Sequence, residues 1–133
     1  MRVVFDTNIF ISALTLPGGN ADEALMRIID NEDTLVISKP IIDEVLTVLA
    51  RKFSRNAEEL SRVAVNLSGI GELVTPKSRL HVFHDEADNR ILECAVAGKA
   101  EAIVTGDKAM LMKKKYGNVQ IISLGEFLGR TAR

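Results

Sequence analysis

Short apolar runs alternate along this chain with stretches in which apolar residues recur every three or four positions. The first run, Val3-Val4-Phe5, lacks polar alternation, which is typical of a strand buried on both faces. A helical pattern follows at once, with Ile9, Phe10, Ala13 and Leu14 on one face. A strand that leads directly into a helix is the first half of a βαβ unit.

The same alternation continues to the end of the chain. Further strands are predicted at 34–38, 72–75, 102–105 and 119–122. Helices are predicted from about residue 7, at about 21–30, 40–53, 56–67 and 86–98, after residue 107, and from 124 to 129. We therefore expect an α/β fold, a three-layer α/β/α sandwich with a central parallel sheet of about five strands.

Composition sets limits on this picture. A chain of 133 residues suits one domain, here 1–133, and needs no disulfide or metal merely to fold. The lone cysteine, Cys94, falls on a predicted helix and is expected in the core, which fits a reducing cytoplasm. No signal peptide or membrane-spanning stretch is expected. A net charge of −1 argues against binding nucleic acid through bulk positive charge.

Two acidic residues follow predicted strands. Asp6 comes directly after the first strand, and Asp107 ends the turn Thr105-Gly106-Asp107 after the fourth. Because ligands of open α/β sheets bind beyond the carboxyl ends of the strands, both acids are placed where a site is expected. Each also has a local explanation, as the N-cap of the helix that follows.

Two further acids have the phase of an inward helix face. Glu44 lies three residues after Ile41 and four before Val48, and Asp88 lies three residues before Ile91. For Glu44 the alternative is a glutamate at the helix edge that faces solvent. For Asp88 it is an acid placed in the first turn of its helix, where acids are favoured.

Together the four acids indicate a metal site. Crowded carboxylates raise one another's pKa values, and a divalent cation removes that conflict. Oxygen-only ligands favour Mg²⁺ or Mn²⁺ over Zn²⁺, and Mg²⁺ keeps coordination positions for a phosphate oxygen and water. The chemistry predicted from the residues is hydrolysis of a phosphodiester.

The chain resembles the PIN-domain nucleases. The residues that carry the resemblance are Val4-Phe5-Asp6-Thr7-Asn8, Glu44, Asp88-Asn89-Arg90-Ile91-Leu92-Glu93-Cys94-Ala95 and Ile103-Val104-Thr105-Gly106-Asp107-Lys108. The resemblance implies a small α/β/α fold of Rossmann-like type and metal-dependent cleavage of single-stranded RNA. It also implies a homodimer, a cognate antitoxin, and a role as the toxin of a toxin–antitoxin pair.

Carried over by position, the resemblance gives Asp6, Glu44, Asp88 and Asp107 as the acidic metal site. It gives Asn8 and Thr105 as polar residues beside the acids. This chain has Ala87 where many relatives have a proline, so Asp85 and Glu86 compete with Asp88, which is chosen for its helix phase.

Other interpretations stay open at this point. Glu93 is expected on a helix surface, and His81 and His84 in a loop without metal partners. One rival function is a phosphatase that forms an aspartyl-phosphate, although its usual second aspartate corresponds here to Asn8. The other is a non-catalytic module that binds RNA or a protein.

Overall fold

The structure, a computed structural model, describes residues 1–130. Its strands are β1 (Arg2–Phe5), β2 (Thr34–Ser38), β3 (Gly71–Val74), β4 (Ala102–Val104), β5 (Lys115–Tyr116) and β6 (Val119–Ile122). Its helices are α1 (Thr7–Thr15), α2 (Asn20–Ile29), α3 (Lys39–Phe53), α4 (Ala57–Ile70), α5 (Glu86–Ala97), α6 (Lys108–Lys113) and α7 (Leu124–Gly129). The expected domain, 1–133, extends over three positions that lie outside the described residues.

The strands form one sheet in the order β3-β2-β1-β4-β6-β5. All neighbouring strands are parallel except β5 and β6, which pair antiparallel. The chain builds the sheet outward from β1 through β2 to β3, and β4 then pairs with the other side of β1. The strand order therefore reverses between β1 and β4, and such a reversal is where open α/β sheets hold their ligands. The predicted α/β/α architecture is confirmed.

The core explains why the central strands contain no alternating polar residues. Val3, Val4 and Phe5 of β1 are fully buried, because helices cover both faces of the sheet. The Phe5 ring packs against those of Phe10 in α1 and Phe127 in α7, with 5.7 Å between centroids in each pair. Each buried phenylalanine stabilises the fold by roughly 1.5–3 kcal/mol.

Two elements differ from the sequence prediction. No strand was predicted between the helix after residue 107 and the strand at 119–122, but Lys114 has a left-handed backbone (φ 67°) and Lys115–Tyr116 form a strand. Two residues are too few to show the alternation that identifies a strand. Helix α4 continues through Gly69, where we expected it to end, because one helical glycine costs only about 1 kcal/mol and burial of Leu67 offsets that cost.

Within residues 1–130, no helix has the length and apolar character required to cross a bilayer. The expectation that Cys94 lies in the core is confirmed: its side chain is fully buried, and burial raises the pKa of its thiol to about 12. It lies beside the hydroxyl of Ser38. That hydroxyl does not cap α3, although Ser38 occupies the N-cap position.

Candidate active site

Two acids lie where the strand order reverses, one after each strand of that pair. Asp6 follows β1 and caps α1, and Asp107 caps α6 two residues beyond the Thr105 that follows β4. The register pairs Phe5 with Val104, and the Asp6 N–H continues the ladder to the Val104 carbonyl at 2.9 Å. The prediction that both acids share the carboxyl edge of the sheet is confirmed. Both acids are also N-caps. The two interpretations are therefore compatible, because each acid caps a helix and also lies at the carboxyl edge of the sheet.

Thr105 connects the two acids. Its hydroxyl is fully buried, donates to Asp6 Oδ2 at 2.6 Å and accepts from the Asp107 N–H at 3.0 Å. The other Asp6 oxygen, Oδ1, accepts from the Asn8 N–H at 3.2 Å. Burial raises the pKa of Asp6, the bonds from Thr105 and Asn8 oppose that rise, and the charge of Asp107 adds to it. The Asp6 carboxylate is therefore held in a fixed orientation.

Asp88 completes the group of acids. It lies in the first turn of α5, is 5% exposed, and its pKa is raised to about 7. Burial is the largest cause, followed by the charges of Asp107, Asp85 and Asp6 and by a hydrogen bond with Asp107. The surrounding negative charges therefore make the ionised form of Asp88 unfavourable. The predicted inward orientation of Asp88 is confirmed.

The chemistry of these donors fits a hard divalent cation. Carboxylate oxygens are the ligands that Mg²⁺ and Mn²⁺ prefer, and a cation would relieve the repulsion that raises the pKa of Asp88. Within residues 1–130, no three His, Cys, Asp or Glu side chains are arranged to enclose a metal. The acids are thus not a closed protein cage. Mg²⁺ does not need one, because it usually keeps several waters and takes one or two carboxylates.

Glu44 is less closely associated with the group than its helix phase suggested. It is exposed in α3, while Ile41 and Val45 on either side of it are buried. This exposure agrees with the alternative interpretation, in which Glu44 lies at the helix edge and faces solvent. Asn8 is also an exposed residue, and its contact with Asp6 uses the backbone N–H. The roles that the resemblance gives to Glu44 and Asn8 stay predictions.

Of the three acids at the start of α5, Asp88 is the buried one. Asp85 is exposed and caps the helix by accepting from the Ala87 N–H at 2.8 Å. Its charge still raises the pKa of both Asp6 and Asp88, so it belongs to the electrostatic surroundings of the site. Glu86 is exposed and pairs with Arg90 at 3.3 Å.

Asn89 is a residue whose role the sequence analysis missed. Its fully buried side chain accepts from the N–H groups of Val82 (3.0 Å) and Phe83 (2.8 Å) and donates to the Phe83 carbonyl (2.9 Å). These bonds fasten the irregular segment before α5 to the helix that carries Asp88. A signal was present, because a long polar loop needs partners for its backbone and an asparagine beside the inner face can supply them.

Our expectation for Glu93 was wrong. It is 6% exposed, accepts from the Leu80 N–H at 2.8 Å and pairs with Arg90 at 2.9 Å. A buried carboxylate is tolerated only with such partners, and the sequence does not reveal that the loop supplies them. His81 is exposed in that loop, as expected.

The structure is an α/β protein with an acidic group at its switch point, and a comparison of sequences gives the family. The pattern of the PIN domain matches residues 2–109 of the chain. The chain therefore belongs to the PIN-domain family. This is a family of nucleases that generally use divalent metal ions, so membership supports hydrolysis of nucleic acid.

Individual relatives agree with this family. Protein MJ1680 of Methanocaldococcus jannaschii, described as uncharacterized, is 30% identical over 131 residues, which cover 93% of this chain and 84% of that protein. A chain in the crystal structure of VapBC2 from Rickettsia felis bound to promoter DNA superposes with a TM-score of 0.65 at 16% identity, covering 92% of this chain and 98% of its own. A chain in the 2.2 Å structure of VapBC-1 from nontypeable Haemophilus influenzae superposes with a TM-score of 0.65 at 18% identity, covering 94% of this chain and 99% of its own. At these identities the structural similarity shows the fold.

Proposed function

We propose that this protein is an endoribonuclease that cleaves single-stranded RNA with Mg²⁺ or Mn²⁺. The observation that carries the proposal is the meeting of Asp6, Asp88 and Asp107 at the switch point, where burial and the charges of its neighbours raise the pKa of Asp88. Membership of a nuclease family and an oxygen-only donor set are both consistent with phosphodiester hydrolysis.

Each residue has a role in this proposal. Asp6, Asp88 and Asp107 hold the cation, directly or through water, and Glu44 holds it or orients the attacking water. Thr105 fixes Asp6 and Asp107, and Asn8 contributes beside Asp6. When bound, the cation would neutralise charge on the phosphate and activate water. Asp88 must lose its proton for the site to be loaded, so cation binding is expected to release protons near neutral pH.

Cleavage of a labelled single-stranded RNA tests the proposal. We expect fragments with Mn²⁺ or Mg²⁺ and none in excess EDTA. Asp6→Asn should abolish cleavage while circular dichroism and the unfolding midpoint show an intact fold. The matched control, Asp30→Asn, changes an exposed acid at the end of α2 and should cleave like the wild type. Full activity of Asp6→Asn would refute the assignment. Release of p-nitrophenol from p-nitrophenyl phosphate without RNA cleavage would favour a phosphatase.

We further propose that the protein acts as the toxin of a toxin–antitoxin pair, with a cognate antitoxin and a homodimeric state. The support is the family and the shared fold with chains in the two VapBC structures. Expression should arrest growth, the product of a neighbouring gene should relieve the arrest, and Asp6→Asn should be harmless. Sedimentation equilibrium should give twice the chain mass of 14.6 kDa. Normal growth at high expression of soluble protein would contradict the toxin role.

A further inference from the structure

A second concave surface lies beside the group of acids. It has a volume of about 370 Å³ and is lined by Pro40 at the start of α3 and by Pro76, Lys77, Ser78 and Arg79, which follow β3. We refer to this surface, formed by residues 40 and 76–79, as the basic cleft. Arg90 and Glu93 of α5 form its wall. No part of the proposed catalytic group lines it.

The topology puts the basic cleft on the same edge of the sheet as the acids. Pro40 follows the carboxyl end of β2, Pro76 follows that of β3, and Asp6 follows that of β1. These three strands are consecutive in the sheet. Neighbouring strands lie about 4.8 Å apart, so the ends of β2 and β3 are displaced from that of β1 by roughly 5 and 10 Å along the edge. A polymer that binds at the acids and extends toward β3 would therefore pass over the basic cleft.

The charge of the basic cleft comes from two side chains. Arg90 is compensated, because it pairs with Glu93 at 2.9 Å and with Glu86 at 3.3 Å. Lys77 and Arg79 are exposed, and neither forms an ion pair in the part of the chain that the structure describes. The cleft therefore has two uncompensated cations near the site formed by Asp6, Asp88 and Asp107.

This contrast matters for a chain whose net charge is only −1. A polyanion gains nothing from the overall charge and is repelled by the acids wherever a cation does not screen them. Binding of a polyanion would therefore depend on cations close to the site. Lysine and arginine are the side chains that bind phosphate, lysine as a point charge and arginine through its fork of N–H donors.

We propose that the basic cleft binds a backbone phosphate of single-stranded RNA that flanks the scissile one, with Lys77 and Arg79 as the contacting residues. The inference rests on the proposed ribonuclease function. It adds the surface over which the bound RNA strand extends beyond the acids. An acidic protein segment is the competing occupant. RNA is favoured because the cleft continues the edge where the acids lie, and because its two cations, Lys77 and Arg79, have no acidic partner within the described residues.

The test compares two double variants that remove the same charge. Lys77→Ala/Arg79→Ala alters the basic cleft, and Arg51→Ala/Lys52→Ala removes two exposed cations from the last turn of α3, at the opposite edge of the sheet. Binding of a fluorescein-labelled single-stranded octaribonucleotide is measured by anisotropy in EDTA at several salt concentrations. Because EDTA prevents metal-dependent cleavage, this measurement is separate from the test of catalysis.

The cleft variant should bind the RNA more weakly, and the slope of log affinity against log salt should be smaller by about 1.4, at about 0.7 per lost phosphate contact. Its defect relative to the wild type should then be about 7-fold larger at 50 mM than at 200 mM salt. The control variant should match the wild type. With Mn²⁺ present, the cleft variant should also show a raised KM for the octaribonucleotide.

Three results would overturn the inference. They are equal binding by the cleft variant and the wild type, an equal loss in the control variant, and a loss confined to a labelled poly-glutamate peptide used as a second probe. The last result would assign the cleft to an acidic protein segment. Loss of RNA binding in the cleft variant, with a wild type that never cleaves RNA, would support the cleft and refute the ribonuclease proposal on its own.

Discussion

The hydroxyl of Thr105 donates to Asp6 Oδ2 across 2.6 Å, joining two residues that are 99 positions apart in the chain. The same hydroxyl accepts from the Asp107 N–H at 3.0 Å. One buried side chain thus fixes the acid that follows β1 and the turn that carries the acid after β4. The Thr105 hydroxyl therefore links the positions of these two acids, whose carboxylates also accept the bonds that cap their helices.

Thr105→Val tests this dependence with nearly unchanged volume. The variant leaves Asp6 Oδ2 and the Asp107 N–H without their partner, so we expect RNA cleavage to fall roughly 10–100-fold, as for groups that orient metal ligands. Unfolding by urea should show a loss of about 1–3 kcal/mol. Thr105→Ser restores the hydroxyl and should recover most activity. Equal activity of the valine and serine variants would assign Thr105 to packing alone.

The pKa of Asp88 predicts how stability of the metal-free protein depends on pH. The folded pKa is about 7 and the unfolded value is 3.8, so between these values the folded state holds a proton that the unfolded state has released. The free energy of unfolding should therefore decrease as pH rises from about 4 to 7, and should level off above pH 7.

Asp88→Asn isolates this contribution. In EDTA at pH 8 the variant should be more stable than the wild type by roughly 1–4 kcal/mol, since three pKa units correspond to about 4 kcal/mol at most. The gain should vanish near pH 4. Urea unfolding across pH 4–8 measures the gain in stability at pH 8 and its disappearance near pH 4, with Asp30→Asn as the control. A wild type whose stability rises from pH 5 to 7 as a result of Asp88 would contradict the prediction.

A divalent cation should stabilise the folded protein if the acids bind it. At 100 times its Kd, the cation adds about 2.7 kcal/mol to the free energy of unfolding. Thermal unfolding at pH 7.5 with increasing Mn²⁺ measures the gain as a rise in Tm. Asp107→Asn should lose most of the rise, whereas Asp30→Asn should keep it. The same rise in both variants would mean that the cation binds elsewhere.

Glu44→Gln decides between two descriptions of this exposed residue. If Glu44 orients the attacking water, kcat for RNA cleavage should fall by roughly 100-fold or more with little change in KM. Asp43→Asn is the matched control, because Asp43 is the adjacent exposed acid of α3 and pairs with Lys39. Unchanged kcat in Glu44→Gln would leave Glu44 as a solvent-facing helix residue.

Asn89→Ala should release the segment that leads into α5. The substitution leaves the N–H groups of Val82 and Phe83 unpaired in a partly buried position, at a cost of about 2–4 kcal/mol. Limited proteolysis should then cut between residues 77 and 85 much faster than in the wild type. Asn66→Ala, at an exposed position in α4, is the control for both measurements. Unchanged proteolysis would show that other contacts hold the segment.

Apart from the short antiparallel strand β5, the sequence by itself determined the order of the elements, the parallel sheet and the positions of Asp6 and Asp107, because these follow from local patterns. Apolar runs mark buried strands, and a parallel sheet brings the residues after its strands to one edge. The phase of Asp88 relative to Ile91 likewise predicted its burial, which a single helix is enough to fix.

Only the tertiary structure decided which groups touch. The bond from Thr105 to Asp6, the charges that raise the pKa of Asp88, the burial of Glu93 and the exposure of Glu44 all depend on elements far apart in the chain. Helix phase says which side of a helix a residue occupies, but not whether a neighbouring loop covers that side or leaves it in solvent. Long-range packing supplies that information, and hydrogen bonds and pKa shifts are sensitive to it at the scale of an ångström.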